Sequence, residues 1–445
     1  MDKKYKITLT NILYLFLVLA IPFICVSGVS VIPAHLRFYA ITASAVVCLM
    51  LAVFIRKKII LDSVTVLSLI FGGLIMLSVL YSLDPKLTLN FFVIYISCSM
   101  LFIADLPENI FDKIIFVIRV VCVVMAVSIV LSVFINDFIL TYFSFIVNPN
   151  HKAEIITAIH NEINYSKAYS GLATERADAA VIMNVGIALI ASKFFSGQKL
   201  SKHDIIQMIL FVAALFFTNK RTLFLVPLIA FAVMILLGRV KNKFLKCTTV
   251  AVAGVCLFFV LSAFIPQLNN IYNRFFSSGS TDILNGRGEL WDFSLDMYQR
   301  NPAFGCGFAS FNKFAYDGGL LIKGKQWNYF GHNCYYEILG ELGIVGTVAF
   351  AVAFALPLIY TIILIYRNSG TKHQSALLLM SLYIQIMCIV YCVSGNVLYT
   401  SQQIYLWYFA IAMMLCVKRS QGYKGIVQSV KYRFSDPNKE GYEKI

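Results

Sequence analysis

Residues 338–366 read ILGELGIVGTVAFAVAFALPLIYTIILIY, an apolar run that is long enough to cross a membrane as a helix. A transmembrane α-helix needs about 20 consecutive, mostly apolar residues. The run follows FGHNCYYE at residues 330–337, which places a histidine and an asparagine at its mouth. The stretch therefore predicts a membrane helix that begins in a polar segment suited to chemistry.

The composition extends this prediction to the whole chain. Of its 445 residues, 59% are hydrophobic and only 13% are charged, and the mean hydropathy is +0.78. A single soluble core could not keep that much apolar surface from water. We therefore expect an all-α polytopic membrane protein, with residues 1–445 forming a single integral membrane domain.

Runs of roughly 17–25 mostly uncharged residues predict about twelve transmembrane helices. They lie at 11–30, 39–55, 63–81, 87–105, 115–136, 177–195, 204–218, 222–238, 248–265, 341–365, 375–395 and 402–417. The first run is longer than the core of a signal peptide and lacks a clear cleavage site, so we expect a retained helix with no soluble domain before or after it.

Basic residues in the short loops indicate the orientation. If the amino terminus is cytoplasmic, most lysines and arginines fall on the cytoplasmic side, including those of a basic tail at 418–445. The net charge of +15 is then mainly a topology signal, with added attraction to anionic membrane lipids. Because the basic residues are scattered over many loops, they do not indicate nucleic-acid binding.

Two connections on the outer side exceed ordinary loop length, and long loops usually have a function. The first outer loop, residues 137–176, contains AEIITAIHNEI at 153–163, whose spacing predicts a helix lying on the membrane surface. The second, residues 266–340, lies between predicted helices 9 and 10. It carries the apolar, glycine-bearing AFGCGF at 303–308, which we expect to dip into the membrane interface.

The long outer loop also contains an amphipathic helix. It could begin at Asn285 or Gly286 and must end before Asn301-Pro302, since the residue before a proline disfavours helix. One face would carry Leu290, Trp291, Ser294, Leu295 and Tyr298.

Cysteines give little further information. Nine of the eleven lie in or beside predicted spans, where a small buried hydrophobe is the default interpretation. Cys306 and Cys334 fall in the long outer loop, where conditions are oxidising, so a disulfide between them is one option. The sequence does not provide the distance on which such a pairing depends.

Arg287 would lie in the first turn of the amphipathic helix, where the exposed backbone N–H groups already disfavour a cation. A cation at that place makes sense if an anion shares the site, and a phosphate bound by N–H groups and a guanidinium is the obvious candidate. The alternative is an exposed surface arginine.

Further cations stand on the outer side, where the positive-inside rule predicts few. Lys220 and Arg221 lie in a tight outer turn, where they either snorkel to lipid headgroups or bind a polyanionic substrate. Arg176, with Glu175 and Asp178, forms another charged cluster, for which an internal salt bridge and ligand binding are both open.

The polar mouth of the quoted run suggests a catalytic base. Asn333 is a good N-cap for the helix, which leaves His332 just outside its positive end. That position favours neutral imidazole, the form that accepts a proton. A purely structural histidine is the alternative, and a carboxylate such as Glu289 or Glu337 could also act as the base; we assign the general-base role to His332.

Together these residues resemble the O-antigen ligase and polymerase superfamily of bacterial envelope glycan assembly. The resemblance rests on GRGELW at 286–291, NPAFGCGFASF at 301–311 and GHNCYYEILGELGIVG at 331–346, supported by NKRTLF at 219–224. It is dense over 280–350, extends to 170–240, and is only topological elsewhere.

The resemblance implies a metal-independent, inverting glycosyltransferase with the many-helix fold of lipid-sugar-using enzymes (GT-C-like) and no cofactor. The donor would be an oligosaccharide on undecaprenyl diphosphate and the acceptor a glycan or a lipid-linked repeat, with a chain-length regulator protein as a further partner. The protein would lie in the bacterial cytoplasmic (inner) membrane, with both termini cytoplasmic and the active site on the outer face.

The resemblance also implies roles for individual residues. Arg221 and Arg287 would hold the diphosphate, with Arg176 and Lys220 as further candidates. His332 would activate the acceptor hydroxyl, and Asn333, Trp291 and Glu337 would support the site. Two guanidinium groups in a partly dry cavity can stabilise the charge that develops on a diphosphate leaving group.

Three functions stay open at this point. A polymerase of capsule, exopolysaccharide or O-antigen repeats and an O-antigen ligase that uses a lipopolysaccharide core share this layout. We favour the polymerase, because RADAAVIMN at 176–184 departs from the pattern associated with ligases. A lipid-linked oligosaccharide flippase or transporter is the third, although transporters usually carry several ionisable residues inside spans and here only Arg119 is clearly intramembrane.

Overall fold

The computed structural model describes residues 8–26, 34–135, 138–146, 152–166, 168–173, 175–239, 287–322, 324–367, 370–422 and 430–433, together with Asn242, Leu245 and Thr248. The helices in these ranges, numbered in chain order, are α1 (Leu9–Val26), α2 (Ala34–Met50, continued by a π-helical turn Leu51–Ile55), α3 (Ser63–Ser78), α4 (Pro85–Ile103), α5 (Glu108–Phe134), α6 (Phe138–Tyr142), α7 (Lys152–Ser166), α8 (Arg176–Phe195), α9 (Lys202–Phe217), α10 (Arg221–Leu237), α11 (Arg287–Arg300), α12 (Phe311–Asp317), α13 (Cys334–Arg367), α14 (Lys372–Tyr391) and α15 (Ser401–Ser420).

Short helical turns and strands complete the described chain. Three 3₁₀ turns lie at Ser144–Ile146, Gly171–Ala173 and Val397–Tyr399. Strand β1 (Lys58–Leu61) pairs antiparallel with β4 (Val430–Arg433), and β2 (Leu321–Ile322) pairs antiparallel with β3 (Lys325–Gln326). The β1–β4 ribbon was not predicted, because its second strand lies in the segment interpreted as a basic tail.

Every predicted span except 248–265, which beyond Thr248 lies outside the described residues, coincides with one of these helices. Seven helices in the described part of the chain are both long and apolar enough to cross a membrane, namely α1, α2 with its π-helical turn, α4, α5, α8, α13 and α14. Helices α3 and α10 are apolar but shorter. The chain is therefore a helical, polytopic membrane protein, and the number of about twelve spans stays a prediction.

Helices α8, α14 and α15 form the centre of the bundle, because their side chains are buried on nearly every face. Helix α14 packs against both α8 and α15, and α5, α9 and α10 pack around α8. The peripheral helices expose large apolar side chains such as Leu15, Phe116 and Ile206. Extensive exposed apolar surface of this kind is characteristic of a protein that faces lipid.

Side-chain caps explain where several helices begin. The carboxylate of Asp84 accepts a hydrogen bond from the N–H of Leu87 at 3.1 Å, with Pro85 at the first position of α4. Ser201 and Asp204 form a reciprocal capping box at the start of α9. These caps satisfy N–H groups that the helices themselves leave without partners, so the connections between helices are well defined.

Ion pairs concentrate at the end of the bundle that contains the β1–β4 ribbon, which is the end predicted to be cytoplasmic. Asp105 contacts Arg56 at 3.2 Å and Lys58 at 3.8 Å, and Asp62 contacts Arg419 at 3.1 Å. The predicted basic side is therefore held together by carboxylates that sequence inspection had not linked to it.

Arg119, the charged residue predicted within a span, is part of a second ion-pair cluster. Its Nη2 lies 2.6 Å from Asp204 Oδ1, and its Nε donates to Gln207 Oε1 at 2.7 Å. Lys193 Nζ contacts the other oxygen of Asp204 at 2.6 Å. Arg119 thus joins α5 to α9, which is a structural role that needs no transported ligand.

The two long loops contain the helices expected of them. Helix α7 covers the predicted segment 153–163 of the first outer loop. Helix α11 ends at Arg300, immediately before Asn301-Pro302 as predicted, while Asn285 and Gly286 lie outside the described residues. Its buried face is formed by Leu290, Ser294 and Met297. The predicted face was therefore wrong in part, since Met297 rather than Leu295 or Tyr298 completes it.

Candidate functional site

A break in α13 organises the site. Gly343 interrupts the helix with φ +60° and ψ −162°, a backbone conformation that glycine adopts most readily. Residues 302–309, here called the strap, lie against the break. Four backbone hydrogen bonds join them to its two sides: Ile344 N–H to Pro302 O (2.9 Å), Val345 N–H to Ala303 O (3.2 Å), Cys306 N–H to Gly340 O (3.2 Å) and Gly307 N–H to Glu341 O (2.8 Å).

The strap and helix approach too closely for side chains at the contact. A Cβ atom on Gly343 would lie 2.5 Å from the carbonyl carbon of Ala303, and one on Gly305 would lie 2.3 Å from the carbonyl carbon of Glu341. The AFGCGF segment was expected to enter the membrane interface. Instead, Phe308 is fully buried and stacks on Tyr399 at 5.2 Å, so most of this segment packs within the protein.

Glu341 secures the other end of the strap. Its buried carboxyl group accepts hydrogen bonds from the N–H groups of Ala309 (2.8 Å) and Phe311 (2.9 Å) and from the hydroxyl of Tyr399 (2.7 Å). Buried acceptors with three donors hold a unique geometry, because any departure leaves polar groups without partners. Sequence analysis interpreted Glu341 only as the start of a span and missed this role.

Helix α11 lies on the first part of α13, and this contact positions Arg287. A Cβ on Gly340 would lie 2.6 Å from the carbonyl oxygen of Ser294, which shows how closely the two helices approach. Trp291 stacks on Tyr336 with ring centroids 5.4 Å apart and planes 11° apart. Arg287, the first residue of α11, is therefore held near the start of α13.

His332 lies at the amino-terminal end of α13, as the sequence predicted. The side chain of Asn333 accepts hydrogen bonds from the N–H groups of Tyr335 (3.1 Å) and Tyr336 (3.4 Å), which confirms it as the cap. The backbone N–H of His332 donates to Asn396 Oδ1 at 3.1 Å. Its φ of +57° is uncommon for a residue with a side chain, so several contacts together hold the imidazole in place.

The imidazole of His332 is partly buried among cations. Burial, then the charges of Arg287 and Lys220, lower the pKa of His332 from 6.5 to about 4, although a hydrogen bond with Asn396 opposes them. Desolvation and nearby like charge both disfavour the imidazolium form. His332 is therefore neutral at physiological pH and can accept a proton.

The cations themselves form a cluster. Burial lowers the pKa of Arg287; Tyr391 opposes this shift and the charge of Arg176 adds to it. Lys220 lies over the ring of Tyr391, with Nζ 5.7 Å from the ring centroid. Lys220 and Arg287 thus act on His332, and Arg176 acts on Arg287, although the three cations come from distant parts of the sequence.

An acidic group lies beside this cluster. Asp178, in the first turn of α8, is buried and faces Arg37, Lys220 and the amide of Gln403, with Glu175 nearby. Sequence analysis named Asp178 and Glu175 with Arg176 but missed Arg37 and Gln403. Arg37 carried a usable signal, because it is a cation on the predicted outer side at the start of a span, as Lys220 is.

Glu337 lies next to the loop that contains His332. Its side chain is fully buried, and its carboxyl oxygens lie against the backbone of Gly331 and His332. Neither oxygen has a hydrogen-bond partner of standard geometry among the described residues. Glu337 is therefore adjacent to the loop of His332, and its supporting role stays a prediction.

The structure also describes Arg221 and two cysteines, Cys306 and Cys334. Arg221 begins α10 with an exposed side chain, and the cation that faces His332 from this turn is its neighbour Lys220. Cys306 and Cys334 are free thiols rather than a disulfide. The Sγ of Cys334 donates to Gly395 O at 3.2 Å, and that of Cys306 to Met297 O at 3.6 Å.

The loop between α14 and α15 completes the site and was not predicted. Asn396 holds the backbone of His332, and Ser394 donates to Thr222 Oγ1 at 2.6 Å. The backbone N–H of Cys334 also donates to Cys392 O at 2.9 Å. The sequence Ser-Gly-Asn at 394–396 is typical of a simple turn. The sequence alone therefore did not indicate that this loop contacts His332.

The fold and the site together define a class: a polytopic helical membrane protein with a cationic, histidine-bearing site at one end of its bundle. A family model described as O-antigen ligase matches residues 206–351. The matched region contains Lys220, Arg287, the strap and His332, and it confirms the resemblance to the O-antigen ligase and polymerase superfamily. No curated protein matches the chain.

Proposed function

We propose that this protein transfers a glycan from an undecaprenyl diphosphate carrier to the hydroxyl group of an acceptor sugar, and that it acts as a polymerase of envelope polysaccharide repeats. The observation that carries the proposal is the meeting of a neutral histidine with the cations Arg287 and Lys220. A diphosphate leaving group requires positive charge and an acceptor hydroxyl requires a base. Both requirements are met within one site.

In the proposed reaction, His332 removes the proton of the acceptor hydroxyl as its oxygen bonds to the anomeric carbon. The bond between that carbon and the diphosphate oxygen breaks on the opposite face, and its electron pair leaves with the diphosphate, which gives inversion. Arg287, Lys220 and Arg176 stabilise the developing negative charge, and Arg221 would bind the diphosphate from the start of α10. Asn333 and Asn396 hold the histidine loop in position.

The location of the site suits a lipid-linked donor. The site lies where apolar helices α8, α10 and α13 begin, so a polyprenyl chain could stay in the lipid while its diphosphate enters the cation cluster. We place this end of the bundle on the outer face of the cytoplasmic membrane, as the loop charges predict.

The test compares the surface glycan of cells that express wild type, His332→Ala or Arg287→Ala in a strain without the native gene. We expect both variants to lose the long-chain ladder at normal membrane abundance. Arg300→Ala is the matched control for Arg287→Ala, because Arg300 ends the same helix and pairs only with exposed Asp296 at 2.9 Å among its ion pairs in the described chain. A normal ladder in both site variants would overturn the proposal.

The description of the matched family favours a second acceptor, the lipopolysaccharide core used by an O-antigen ligase. The residual glycan in His332→Ala cells separates the two. Single capped repeats indicate a failed polymerase, whereas free polymer on its lipid carrier indicates a failed ligase.

A further inference from the structure

A pair of aromatic side chains adjoins His332 without a part in the chemistry described above. The ring of Trp327 meets the imidazole of His332 edge to face, with centroids 5.8 Å apart and planes 72° apart. Tyr329 in turn contacts Trp327, with centroids 6.0 Å apart. Its side chain is 70% exposed. The pair, here called the aromatic ledge, therefore reaches from the surface to the proposed base.

The ledge is held firmly by its surroundings. The backbone N–H of Trp327 donates to Leu320 O at 2.8 Å, just after the β2–β3 ribbon. Its ring packs on a small apolar cluster that includes Leu290, Phe311 and Leu320. Since Leu290 belongs to α11, the cluster that supports the ledge also supports the helix that begins with Arg287.

An exposed tyrosine next to a supported tryptophan suits a sugar. One face of a pyranose ring consists of C–H groups and packs on an aromatic ring, while its hydroxyls stay free for polar contacts. The indole Nε1–H of Trp327 has no acceptor among the described residues. A buried donor without an acceptor is costly, and a side-chain movement that exposed it would let a hydroxyl of a bound sugar accept from it.

We propose that Trp327 and Tyr329 form the subsite that binds the acceptor glycan, with its reactive sugar lying beside His332. This inference rests on the proposed function, because it assigns the second substrate of the same reaction. The cations occupy the positions that the diphosphate of the donor requires, so the ledge is the contact of His332 left for a neutral sugar ring. Its exposed end gives an acceptor access from water.

The chain allows a direct binding test, since it contains only three tryptophans, Trp291, Trp327 and Trp407. The double variant Trp291→Phe, Trp407→Phe leaves Trp327 as the sole tryptophan fluorophore. It keeps an aromatic ring where Trp291 stacks on Tyr336 and where Trp407 stacks on Phe354. The probes are the oligosaccharide repeat released from the surface glycan of the host by mild acid, which carries neither lipid nor diphosphate, and inorganic pyrophosphate. We expect the oligosaccharide to change the emission of Trp327 saturably.

Adding Tyr329→Ala should weaken oligosaccharide binding about tenfold, the effect of losing one ring-stacking contact. Tyr316→Ala is the matched control, because Tyr316 is also an exposed tyrosine of the long outer loop (47% exposed); it should leave binding unchanged. An emission that does not respond to the oligosaccharide, or responds to pyrophosphate alone, would overturn the subsite.

Transfer kinetics provide a second measurement that uses the full protein with its tryptophans. Tyr329→Ala should raise the KM for the acceptor about tenfold while the KM for the donor stays unchanged, and Trp327→Phe should retain more acceptor affinity than Trp327→Ala. An unchanged acceptor KM in Tyr329→Ala, with transfer abolished by Arg287→Ala, would remove the subsite and leave the proposed function standing. Normal transfer in Arg287→Ala and His332→Ala would instead remove the function itself.

Discussion

His332 faces two cations and has a pKa of about 4, which makes it a weak proton acceptor at neutral pH. A diphosphate bound between Arg287 and Lys220 would offset their charges and favour the imidazolium form again. Donor binding would therefore raise the basicity of His332. Under the proposed function, the histidine would become an effective base only once the donor with its leaving group is bound.

This coupling predicts two different acid limits for the reaction. The profile of kcat/KM for the donor reports the free enzyme and should fall only as the pH drops towards 4, where His332 of the empty site gains its proton. The profile of kcat reports the donor-bound protein and should fall at a higher pH. If kcat and kcat/KM fell at the same pH, donor binding would not change the pKa of His332.

A change of Lys220 tests the electrostatic cause. Lys220→Met removes one of the two charges that lower the pKa of His332, so the acid limb of kcat/KM should move to higher pH, whatever happens to the absolute rate. Lys220→Arg keeps the charge and should keep the limb in place. A limb that does not move in Lys220→Met would show that the charge of Lys220 does not lower the pKa of His332.

Among single residues, the sequence predicted those candidate site residues whose charge is unusual for their position in the chain. Arg287 and Lys220 stood where a cation is disfavoured, and His332 stood beside a recognisable cap. Asn396 and Gln403 carried no such signal, because a polar residue near the end of a span is ordinary. Their roles come from contacts with residues more than 60 positions away or in other helices.

The strap and the break in α13 are the elements that set the geometry of the site. The sequence predicted one continuous span, because GELGIVG leads into an apolar run without a proline near its start. The break depends on carbonyl groups of residues 302 and 303, which replace the helical partners of Ile344 and Val345. Hydrophobic periodicity reports local structure only, so it could not reveal this partner.

Gly343→Ala tests the break. The new Cβ would lie 2.5 Å from Ala303, and φ is +60°, so we expect a loss of stability of at least ~2 kcal/mol. Gly73→Ala in α3 is the control, because a Cβ there would meet nothing within 4 Å; it should be neutral or slightly stabilising. Thermal unfolding in detergent measures both. Equal melting temperatures for the two variants would show that strap and helix separate easily.

Across the whole molecule, charge is divided between two ends with different uses. The end predicted to be cytoplasmic and the α5–α9 contact contain ion pairs, and the candidate site brings Lys220 and Arg287 towards His332. The charged residues of the loops predicted that the two ends of the bundle would differ in charge. They could not predict which carboxylate meets which cation, because Asp204 and Arg119 are 85 residues apart.

Asp204→Asn separates a structural role of Arg119 from a transport role. The Asp204 side chain is fully buried and contacts both Arg119 and Lys193, so the substitution should cost about 3 kcal/mol. The glycan ladder per folded molecule should stay unchanged. Asp296→Asn breaks only an exposed pair and should cost under about 1 kcal/mol. Loss of lipid-linked sugar export from correctly folded Asp204→Asn protein would favour the transporter.

The orientation of the molecule is open to direct measurement. Tyr329→Cys should react with a membrane-impermeant maleimide added to intact cells, because Tyr329 is exposed on the predicted outer side. Lys199→Cys, at an exposed position in a predicted cytoplasmic loop, should react only after the cells are opened. The unsubstituted parent provides the background from native cysteines. The reverse pattern would invert the topology.

The strap also has a consequence for the order of events during synthesis. Its partners on α13 are made more than 30 residues after it, and Asn396, which holds His332, is made 64 residues after His332 itself. A nascent chain that has not reached α14 therefore lacks the contacts that assemble histidine and cations. Under the proposed function, a chain that stops before Asn396 would lack the contact that holds His332 and would not transfer the glycan.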